Sequence, residues 1–426
     1  MRVLVLGSGA REHALAERIA GSDLVDKVIC APGNGGTAAC AENVTLDSFS
    51  PEAVVALAQR LRIDFVVIGP EAPLVAGVAD QLAAAGILVF GPHKAAAALE
   101  GSKAFSKQFM QRHGIKTAAF GVFDNPEDAH AYVDSAAGPL VVKADGLAAG
   151  KGVIVCSAAD QAHAAIEQIM VERAFGEAGA RVVVEERLKG QEVSFHVVLD
   201  GSRYVALCAA QDHKAIGDGD TGPNTGGMGA YSPPPVVTAD VEARILHDVV
   251  DKTVAGLVSD GLEFRGALFV GLMVVDGVPY VLEYNVRFGD PETQVMLARY
   301  GADVMPLLLG AARGDLSAVK PRWAAPCAMC VVLAAPGYPG SYTKGAEIHG
   351  LDQAVRLPDV RVLHAGTSRD PDGCVRTSGG RVLGVTAVGA TVDEVAQRAY
   401  AAIAQISFPG MQFRRDIGHH ARNRGH

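Results

Sequence analysis

The chain has 426 residues, 49% of them hydrophobic and 20% charged, with a formal net charge of -9, so it is long enough for several domains and too apolar to be disordered. The acidic balance excludes a generally basic surface for nucleic acid. Its seven scattered cysteines and the lack of a signal-peptide pattern or an apolar run of about 20 residues predict a cytoplasmic protein with free thiols and no membrane partner.

Residues 1–100 are predicted to form an open parallel α/β sheet. Strands and helices alternate along this region, and such alternation requires crossover connections between parallel strands. The predicted strands lie at 3–7, 28–31, 65–69 and 87–91, and the predicted helices at 51–61 and 75–85.

The first strand leads into the turn GSGARE, residues 7–12, which partly matches a dinucleotide-binding fingerprint. Glu12 replaces the third glycine of that fingerprint, and no acidic residue ends the second strand, so a nicotinamide cofactor is disfavoured. A plain strand-to-helix turn and an anion site at the helix N-terminus both fit this segment. Loops 31–36 and 69–74 end neighbouring strands at the same edge, which favours a binding crevice there.

The pattern changes after residue 100, where strands joined by short turns predict an antiparallel sheet. Residues 211–235 form a Gly- and Pro-rich loop of a length that is usually functional. In the final α/β unit, Thr391 and Glu394 are placed to form a capping box. The predicted strands of the middle region lie at 140–143, 153–156, 182–186, 193–200, 203–209, 269–275 and 278–283, and the helices at 101–115, 160–171 and 238–259.

A Gly-rich segment, residues 141–155, joins two of these strands. Gly146, Gly150 and Gly152 give it backbone freedom, and Lys143 and Lys151 add positive charge. A hairpin whose N–H groups cover phosphates and an ordinary exposed hairpin both fit this segment taken alone. The acids of the stretch 182–192 are suited to hold a nucleotide, although paired surface acids are usually only solvated.

The segment LEYNVRFGDPE, residues 282–292, carries the strongest chemical pattern. Side chains alternate along an extended segment, so Glu283, Asn285 and Arg287 are predicted to share one face. A carboxylate and an amide oxygen side by side are suitable ligands for Mg²⁺, and an arginine beside them binds phosphate or carboxylate. By contrast, Cys327 and Cys330 have no second Cys or His pair at zinc spacing, which favours buried structural cysteines.

A series of motifs in this order resembles the phosphoribosylamine–glycine ligase family of the ATP-grasp superfamily. The resemblance covers nearly the whole chain. It implies a pre-ATP-grasp domain at 1–100, an ATP-grasp domain of two α+β subdomains at 101–315 with 121–190 as a lid, and a small α/β domain at 325–426. The motifs are GAREHAL (9–15), APGNGGTA (31–38), GPEAPL (69–74), GSKAFSK (101–107), KADGLAAGKGV (143–153), QDHK (211–214), TGPNTGGMGAYSP (221–233) and RFGDPETQ (287–294).

The resemblance also implies binding sites for ATP and for Mg²⁺ or Mn²⁺. The metal ligands correspond to Glu283 and Asn285, and the strand before them, FVGLMVV, offers no further carboxylate. The ATP-binding residues correspond to Lys103, Lys143, Gly146, Gly150, Lys151, Gly152, Glu185, Glu186, Leu188, Glu192 and Lys214.

The implied reaction joins glycine to 5-phosphoribosylamine with ATP through glycyl phosphate. Arg287, Lys143 and Asp212 are the expected catalytic residues, and Asp212 and Asp290 are expected to hold the ammonium of glycine. We further expect a monomer that transiently contacts the preceding enzyme of its pathway. The expected substrate-binding residues are Gly9, Arg11, Asn34, Gly35, Glu71, Asp212, Arg287, Gly289 and Asp290.

Three alternatives remain at this point: another ATP-grasp carboxylate–amine ligase, a nucleotide-binding oxidoreductase built on the first domain, and a nucleotide sensor without catalysis. Glu12 argues against the oxidoreductase. The intact set of Glu283, Asn285 and Arg287 argues against the sensor.

Overall fold

The computed structural model describes residues 1–148 and 152–422. In this part of the chain no helix is long and apolar enough to cross a membrane. All seven cysteines lie within it and are free thiols. Cys327 and Cys330 are buried in an apolar strand, as the sequence predicts.

An open parallel sheet with strand order β3-β2-β1-β4-β5 forms the first domain. Leu4 and Leu6 pack on one face of the sheet, and Val3 and Val5 on the other. The helix predicted at 75–85 is broken, because Gly77 has a left-handed φ of 91° that ends one helix and starts the next. The elements are β1 Arg2–Gly7, α1 Ala10–Ala20, β2 Lys27–Pro32, β3 Glu42–Asn43, α2 Pro51–Arg60, β4 Phe65–Ile68, α3 Glu71–Ala76, α4 Val78–Ala84, β5 Leu88–Phe90 and α5 Lys94–Gly101.

A second, antiparallel sheet follows, with strand order β6-β9-β7-β8. Its apolar face packs against α7 and α8 in a small core of its own. This subdomain spans the region that the resemblance assigns to a lid. The helix α6 Lys103–Arg112 precedes it and packs into the main core through Phe109 and Met110. The elements of the subdomain are β6 Phe120–Phe123, α7 Pro126–Ser135, β7 Leu140–Ala144, β8 Val153–Cys156, α8 Ala159–Ile166, which continues as a π-helix over Glu167–Val171, and β9 Val182–Glu186.

The strands after β9 belong to a different sheet, so the prediction of one antiparallel sheet over 140–209 is wrong. Gly190 makes the crossing between the sheets possible, because a Cβ there would lie 2.3 Å from the carbonyl oxygen of Val274. The central sheet has the order β11-β10-β16-β17. Its elements are β10 Gln191–Asp200, β11 Tyr204–Ala206, α9 Ala239–Arg244, α10 Asp251–Ser259, β16 Arg265–Val275, β17 Val278–Asn285, α11 Glu292–Arg299 and α12 Met305–Arg313, and a π-helix, Ile245–Val250, joins α9 to α10.

The long loop at 211–235 is built into the C-terminal sheet, whose order is β12-β15-β18-β22-β19. The edge strand β12 and its neighbour β15 both come from the loop, where Ala230 and Tyr231 are buried. The Gly and Pro content of the loop concealed these short strands. The elements are β12 Gln211–Asp212, β13 Ala215–Gly217, β14 Thr221–Asn224, β15 Gly229–Ser232, β18 Cys327–Ala334, α13 Leu351–Ala354, β19 Val360–His364, β20 Thr367–Arg369, β21 Val375–Thr377, β22 Arg381–Gly389, α14 Val392–Ile403 and α15 His419–Arg422.

The predicted capping box at the start of α14 is half formed. The Thr391 side chain accepts a hydrogen bond from the Glu394 N–H, at 3.2 Å. The Glu394 carboxylate instead accepts from the N–H of Ala390, at 2.7 Å. One of the two reciprocal bonds of a capping box is therefore shifted by one residue.

Candidate active site

The segment after β17 lies against the loops at the carboxyl edge of the first sheet. Arg11 donates from its guanidinium to the carbonyl oxygen of Phe288, at 3.0 Å. Arg287 pairs with Glu71, at 3.4 Å between Nε and Oε2. The structure therefore brings the edge of the first sheet and the 282–292 segment into one crevice, as expected for the ends of parallel strands.

The alternation predicted at the end of β17 is present. Tyr284 and Val286 are buried, and the Tyr284 hydroxyl lies 2.6 Å from Thr253 Oγ1. Glu283 and Asn285 face the other way, and Arg287 donates to Asn285 Oδ1 at 3.2 Å. Gly271 stands opposite Glu283 in the neighbouring strand. The absence of a side chain there leaves room for the carboxylate.

A group of four carboxylates surrounds Lys214, namely Glu192, Asp212, Glu283 and Glu292. The Lys214 ammonium lies 2.9 Å from Glu192 Oε2 and 3.9 Å from Glu283 Oε1. Burial and the neighbouring acids raise the pKa of Asp212 to about 8, although Lys214 opposes this. The group has more negative than positive charge, which suits a divalent cation and disfavours a bare anion.

Glu292 was not predicted as a site residue, although it lies in the motif RFGDPETQ. Its carboxylate accepts a hydrogen bond from Ser194 Oγ, at 2.9 Å, and the side chain is 3% exposed. Burial raises the pKa of Glu292, and hydrogen bonds to its own backbone and to Ser194 oppose the shift. Because Glu292 starts a helix, it is easily mistaken for an ordinary N-terminal acid.

A second buried charge group lies beneath the strands of the lid subdomain. The Glu185 carboxylate is ion-paired with both Lys143 and Lys107, and all three side chains are buried. Burial would raise the pKa of Glu185, but the two lysines outweigh it and hold the pKa below its usual range. Lys143 also donates to the carbonyl oxygen of Leu282, at 3.3 Å, so it links this group to β17.

Lys107 was not predicted as a site residue. It follows Lys103 by four positions on α6, and residues at that spacing share one face of a helix. Burial lowers the pKa of Lys107 to about 8, and Glu185 opposes the shift. The repeat of lysine in GSKAFSK was a signal that could have identified it.

The Gly-rich hairpin is attached to α6 at its base. Ser102 Oγ donates to Asp145 Oδ1 at 2.9 Å, and the Ala104 N–H donates to the same oxygen at 3.1 Å. The Lys103 ammonium donates to the carbonyl oxygen of Gly146, at 3.0 Å. Ala144 pairs with Gly152 across the hairpin. The predicted ATP contacts at Gly150 and Lys151 fall outside the described residues.

The anion site predicted at the start of α1 is occupied by a carboxylate of the protein. The Gly9 N–H donates to Glu12 Oε2 at 2.6 Å, and the Arg11 guanidinium donates to Glu12 Oε1 at 2.5 Å. The Glu12 side chain also packs onto Gly7 and Gly69. The Gly9 N–H is therefore already used by Glu12, whose charge Arg11 offsets, which further disfavours a dinucleotide at this turn. Substrate binding by Gly9 and Arg11 stays a prediction.

Asp290 also lies beside Gly9, with its Oδ2 3.1 Å from where a Gly9 Cβ would be. Burial would raise the pKa of Asp290, but Arg381 and Arg11 hold it below its usual range. Arg381, which was not predicted, donates to the carbonyl oxygens of Gly226, at 2.6 Å, and Asp290, at 2.7 Å. It therefore holds the 221–233 loop against the 287–294 segment. An arginine in a distant strand gives no local signal of such a role.

Three predicted substrate residues are engaged in contacts within the protein. The Asn34 side chain donates to the carbonyl oxygens of Ser8 and His364 and accepts from backbone N–H groups. The Gly35 N–H donates to the Thr367 carbonyl oxygen, at 3.0 Å. The Gly289 N–H donates to His196 Nε2, at 3.2 Å. These bonds join the loops of the crevice, and a role in contacting substrate stays a prediction.

Glu186 does not reach the site with its neighbour Glu185. The Glu185 side chain is buried against the lysines, whereas Glu186 is exposed. Burial raises the pKa of Tyr132 of α7, and the nearby Glu186 carboxylate adds to this shift. Side chains alternate along a strand, so adjacent residues of β9 face opposite sides of the sheet. The Glu186 carboxylate therefore lies apart from that of Glu185, and a contact of Glu186 with ATP stays a prediction. Leu188 is half-buried just beyond β9.

Family models match three consecutive parts of the chain. They are described as phosphoribosylglycinamide synthetase N domain, over residues 1–100, ATP-grasp (A) domain, over 101–293, and C domain, over 328–420. A phosphoribosylamine–glycine ligase of Mesorhizobium japonicum is 51% identical over 418 residues, which is 98% of each chain. One from Vibrio cholerae is 51% identical over 99% of this chain and 98% of its own.

Solved structures agree with these matches. The crystal structure of phosphoribosylamine–glycine ligase from Thermotoga maritima superposes with a TM-score of 0.85 at 36% identity, covering 98% of this chain and 100% of that one. Biotin carboxylase from Campylobacter jejuni has a TM-score of 0.77 at 16% identity, covering 99% of this chain and 94% of its own, which shows a shared fold only. The chain therefore belongs to the phosphoribosylamine–glycine ligase family, with the N, ATP-grasp and C domains of the phosphoribosylglycinamide synthetases.

Proposed function

We propose that the chain joins glycine to 5-phosphoribosylamine in purine biosynthesis, converting ATP to ADP and phosphate and releasing glycinamide ribonucleotide. Family membership supports this activity. The observation that carries it is the single crevice in which the Lys214 group, the Glu283 and Asn285 pair and the loops of the first sheet meet. Such a crevice holds two anionic reactants close to cationic side chains, which the reaction requires.

ATP is proposed to bind between the lid subdomain and the central sheet. Lys103 and Lys143 reach this space from α6 and β7 and supply positive charge for the phosphates. Glu185 and Glu192 lie at the edges of the same space, each already paired with a lysine. Because Lys107 also holds Glu185, Lys143 could turn toward a phosphate without leaving that buried carboxylate unpaired.

Glu283 and Asn285 are the proposed ligands of Mg²⁺ or Mn²⁺. The two oxygen-bearing side chains point the same way, and Asp212 lies close to Glu283. Lys214, Lys143 and Lys103 hold the pKa of Glu283 below its usual range, so Glu283 is an ionised oxygen donor of the kind that suits a hard divalent cation. When bound, the ion would offset the repulsion between a carboxylate and the ATP phosphates.

The chemistry takes place in two displacements. First, a carboxylate oxygen of glycine attacks the γ-phosphorus of ATP, and ADP leaves. The amine nitrogen of phosphoribosylamine then attacks the acyl carbon of glycyl phosphate, inorganic phosphate leaves, and the nitrogen loses a proton. Arg287 stands beside Asn285 to hold phosphate oxygens, and Asp212 and Asp290 are the proposed partners of the glycine ammonium.

The lid hairpin is proposed to exclude water during these steps, because water would hydrolyse the acyl phosphate. Its base is fixed to α6 through Asp145, while Gly146 has a φ of 139° that favours glycine. The base of the hairpin is therefore fixed, and Gly146 is the point at which we expect the described part of it to turn.

Measuring ADP release from the purified chain tests the proposal directly. With ATP and Mg²⁺, we expect stoichiometric ADP only when glycine and phosphoribosylamine are both present, with glycinamide ribonucleotide identified by mass spectrometry. Release that needs a different carboxylate or amine would instead indicate another ATP-grasp ligase. A monomeric state and a transient contact with the preceding enzyme remain predictions, which light scattering with and without that enzyme would check.

A further inference from the structure

A cluster of two histidines and one aspartate lies where α15 meets the turn between β13 and β14. His419 Nε2 is 3.5 Å from Asp220 Oδ2, and His420 Nε2 is 3.9 Å from the same oxygen. The ligand atoms of all three residues lie within 4.8 Å of one another. We propose that Asp220, His419 and His420 form a binding site for a divalent transition metal, with Zn²⁺ as the best fit.

The distances favour an ion between the side chains. A hydrogen bond between nitrogen and oxygen spans about 2.7–3.2 Å, so the two separations from Asp220 Oδ2 are too long for direct bonds. A tetrahedral Zn²⁺ with bonds of about 2.0–2.2 Å holds its ligand atoms roughly 3.3–3.6 Å apart. The observed 3.5 and 3.9 Å therefore need only small side-chain rotations to enclose the ion.

Neighbouring groups orient two of the proposed ligands. His419 Nδ1 lies 3.2 Å from the carbonyl oxygen of Asp416, which favours a proton on Nδ1 and leaves Nε2 as a lone-pair donor. Asp220 Oδ1 accepts from the Arg414 guanidinium at 2.7 Å, and Arg414 is itself fully buried. The other oxygen of Asp220 is thereby directed toward the histidines. Metal-bound histidines and carboxylates usually have such supporting partners.

The surroundings of the cluster are acidic. The carboxylates of Asp220 and Asp416 both accept hydrogen bonds from the Arg414 guanidinium, each at 2.7 Å. These two negative charges exceed the one positive charge of Arg414, which favours a cation beside the histidines. Imidazole and carboxylate donors together suit Zn²⁺ and its neighbours in the first transition row better than Mg²⁺.

The cluster is connected to the candidate active site through His213. Its ring centroid lies 5.3 Å from that of His419 and 6.2 Å from that of His420. Within the described structure, its buried Nδ1 has no hydrogen-bond partner. His213 stands between Asp212 and Lys214 in the chain. A metal at this cluster would tie α15 to the β13–β14 turn and so brace the loop that carries those two residues.

Titrating the untagged full chain, after treatment with a chelator, tests the site. Calorimetry with Zn²⁺ is expected to show about one equivalent bound per chain, and Co²⁺ is expected to give the visible absorption of a four- or five-coordinate ion. His419→Gln, His420→Gln and Asp220→Asn should each weaken Zn²⁺ binding at least about tenfold. Zn²⁺ should also raise the thermal midpoint of the wild-type chain and not that of His420→Gln.

The matched control is the double variant His130→Gln/His163→Gln. This other histidine pair lies in the lid subdomain, with its Nδ1 atoms 2.6 Å apart. We expect the control to bind Zn²⁺ like the wild type. Absence of stoichiometric binding by the wild type, or loss of binding in the control with retention in His420→Gln, would overturn the proposal. His420 is 40% exposed, so its substitution leaves the fold intact and gives a clear result even if Asp220→Asn unfolds the chain through Arg414.

Discussion

Replacing Glu283 with Gln removes one negative charge from the proposed metal pair and keeps the volume and hydrogen-bonding capacity of the side chain. Glu283 lies at the end of β17 with no buried hydrogen-bond network of its own in the described structure, and it approaches Lys214 only to 3.9 Å. The substitution therefore separates the role of the carboxylate in catalysis from its role in folding.

Two magnitudes decide the expected result. At 3.9 Å a pair of unit charges interacts by about 4 kcal/mol at an effective dielectric constant of ~20. Glu283 and Lys214 are 36% and 33% exposed, however, and solvent screening reduces such pairs to at most about 1 kcal/mol of folding stability. In the transition state the lost charge should cost about 2.7–4 kcal/mol, which is a 100- to 1000-fold fall in kcat. Catalysis should suffer far more than stability.

The assay is ADP release with saturating glycine, phosphoribosylamine and Mg-ATP, alongside the urea midpoint of unfolding. Glu172→Gln is the matched control, since it makes the same chemical change at an exposed residue outside the predicted sites; it should keep wild-type activity. A Glu283→Gln enzyme with more than about a tenth of the wild-type kcat would refute the metal assignment. A large drop in its urea midpoint would refute the separation of roles.

Three further outcomes are expected. Lys107→Met should lower the free energy of unfolding by about 3 kcal/mol. This is the lower end for breaking a buried ion pair, because Lys143 still compensates Glu185. Urea unfolding measures the change, with Lys107→Arg as the conservative comparison. Arg381→Ala should reduce kcat about 10- to 100-fold by releasing the loop it holds, while circular dichroism stays unchanged; equal rates would contradict the positioning role. The pKa of Asp212 is raised from 3.8 to about 8, so the folded ligand-free chain keeps a proton there that the unfolded chain loses. The free energy of unfolding should therefore fall as the pH rises from about 4 to 8. Urea unfolding of Asp212→Asn should show a flatter dependence on pH.

The local sequence pattern was enough to identify the strands and helices that frame the site. Alternation along 283–287 identified the face that carries Glu283, Asn285 and Arg287, because a strand has a period of two residues. The apolar runs of β1, β2, β4 and β5 identified a parallel sheet and its crevice. The same local rule applied to β9 would have separated Glu185 from Glu186, which were predicted together by resemblance.

Contacts between distant segments were beyond local pattern. Arg381 reaches carbonyl oxygens at 226 and 290 from a different domain, and nothing near it in the sequence indicates this. Glu12 looked like a missing glycine, but in the fold its carboxylate fills the turn that would otherwise accept an anion. The short strands β12 and β15 of the 211–235 loop became visible only through their pairing with each other and with β18, since two to four residues carry too little periodicity to be recognised alone.

The amino-acid sequence by itself determined most of the longer strands and helices, which of their faces are apolar and, through its motifs, the family. The tertiary structure alone decided that Lys107 joins Lys143 on Glu185, that four acids converge on Lys214, and that α15 meets the turn at Asp220. The physical reason is that periodicity is set by neighbours along the backbone. The charge and pKa of a buried group are set by whatever the packed chain places within a few ångströms of it.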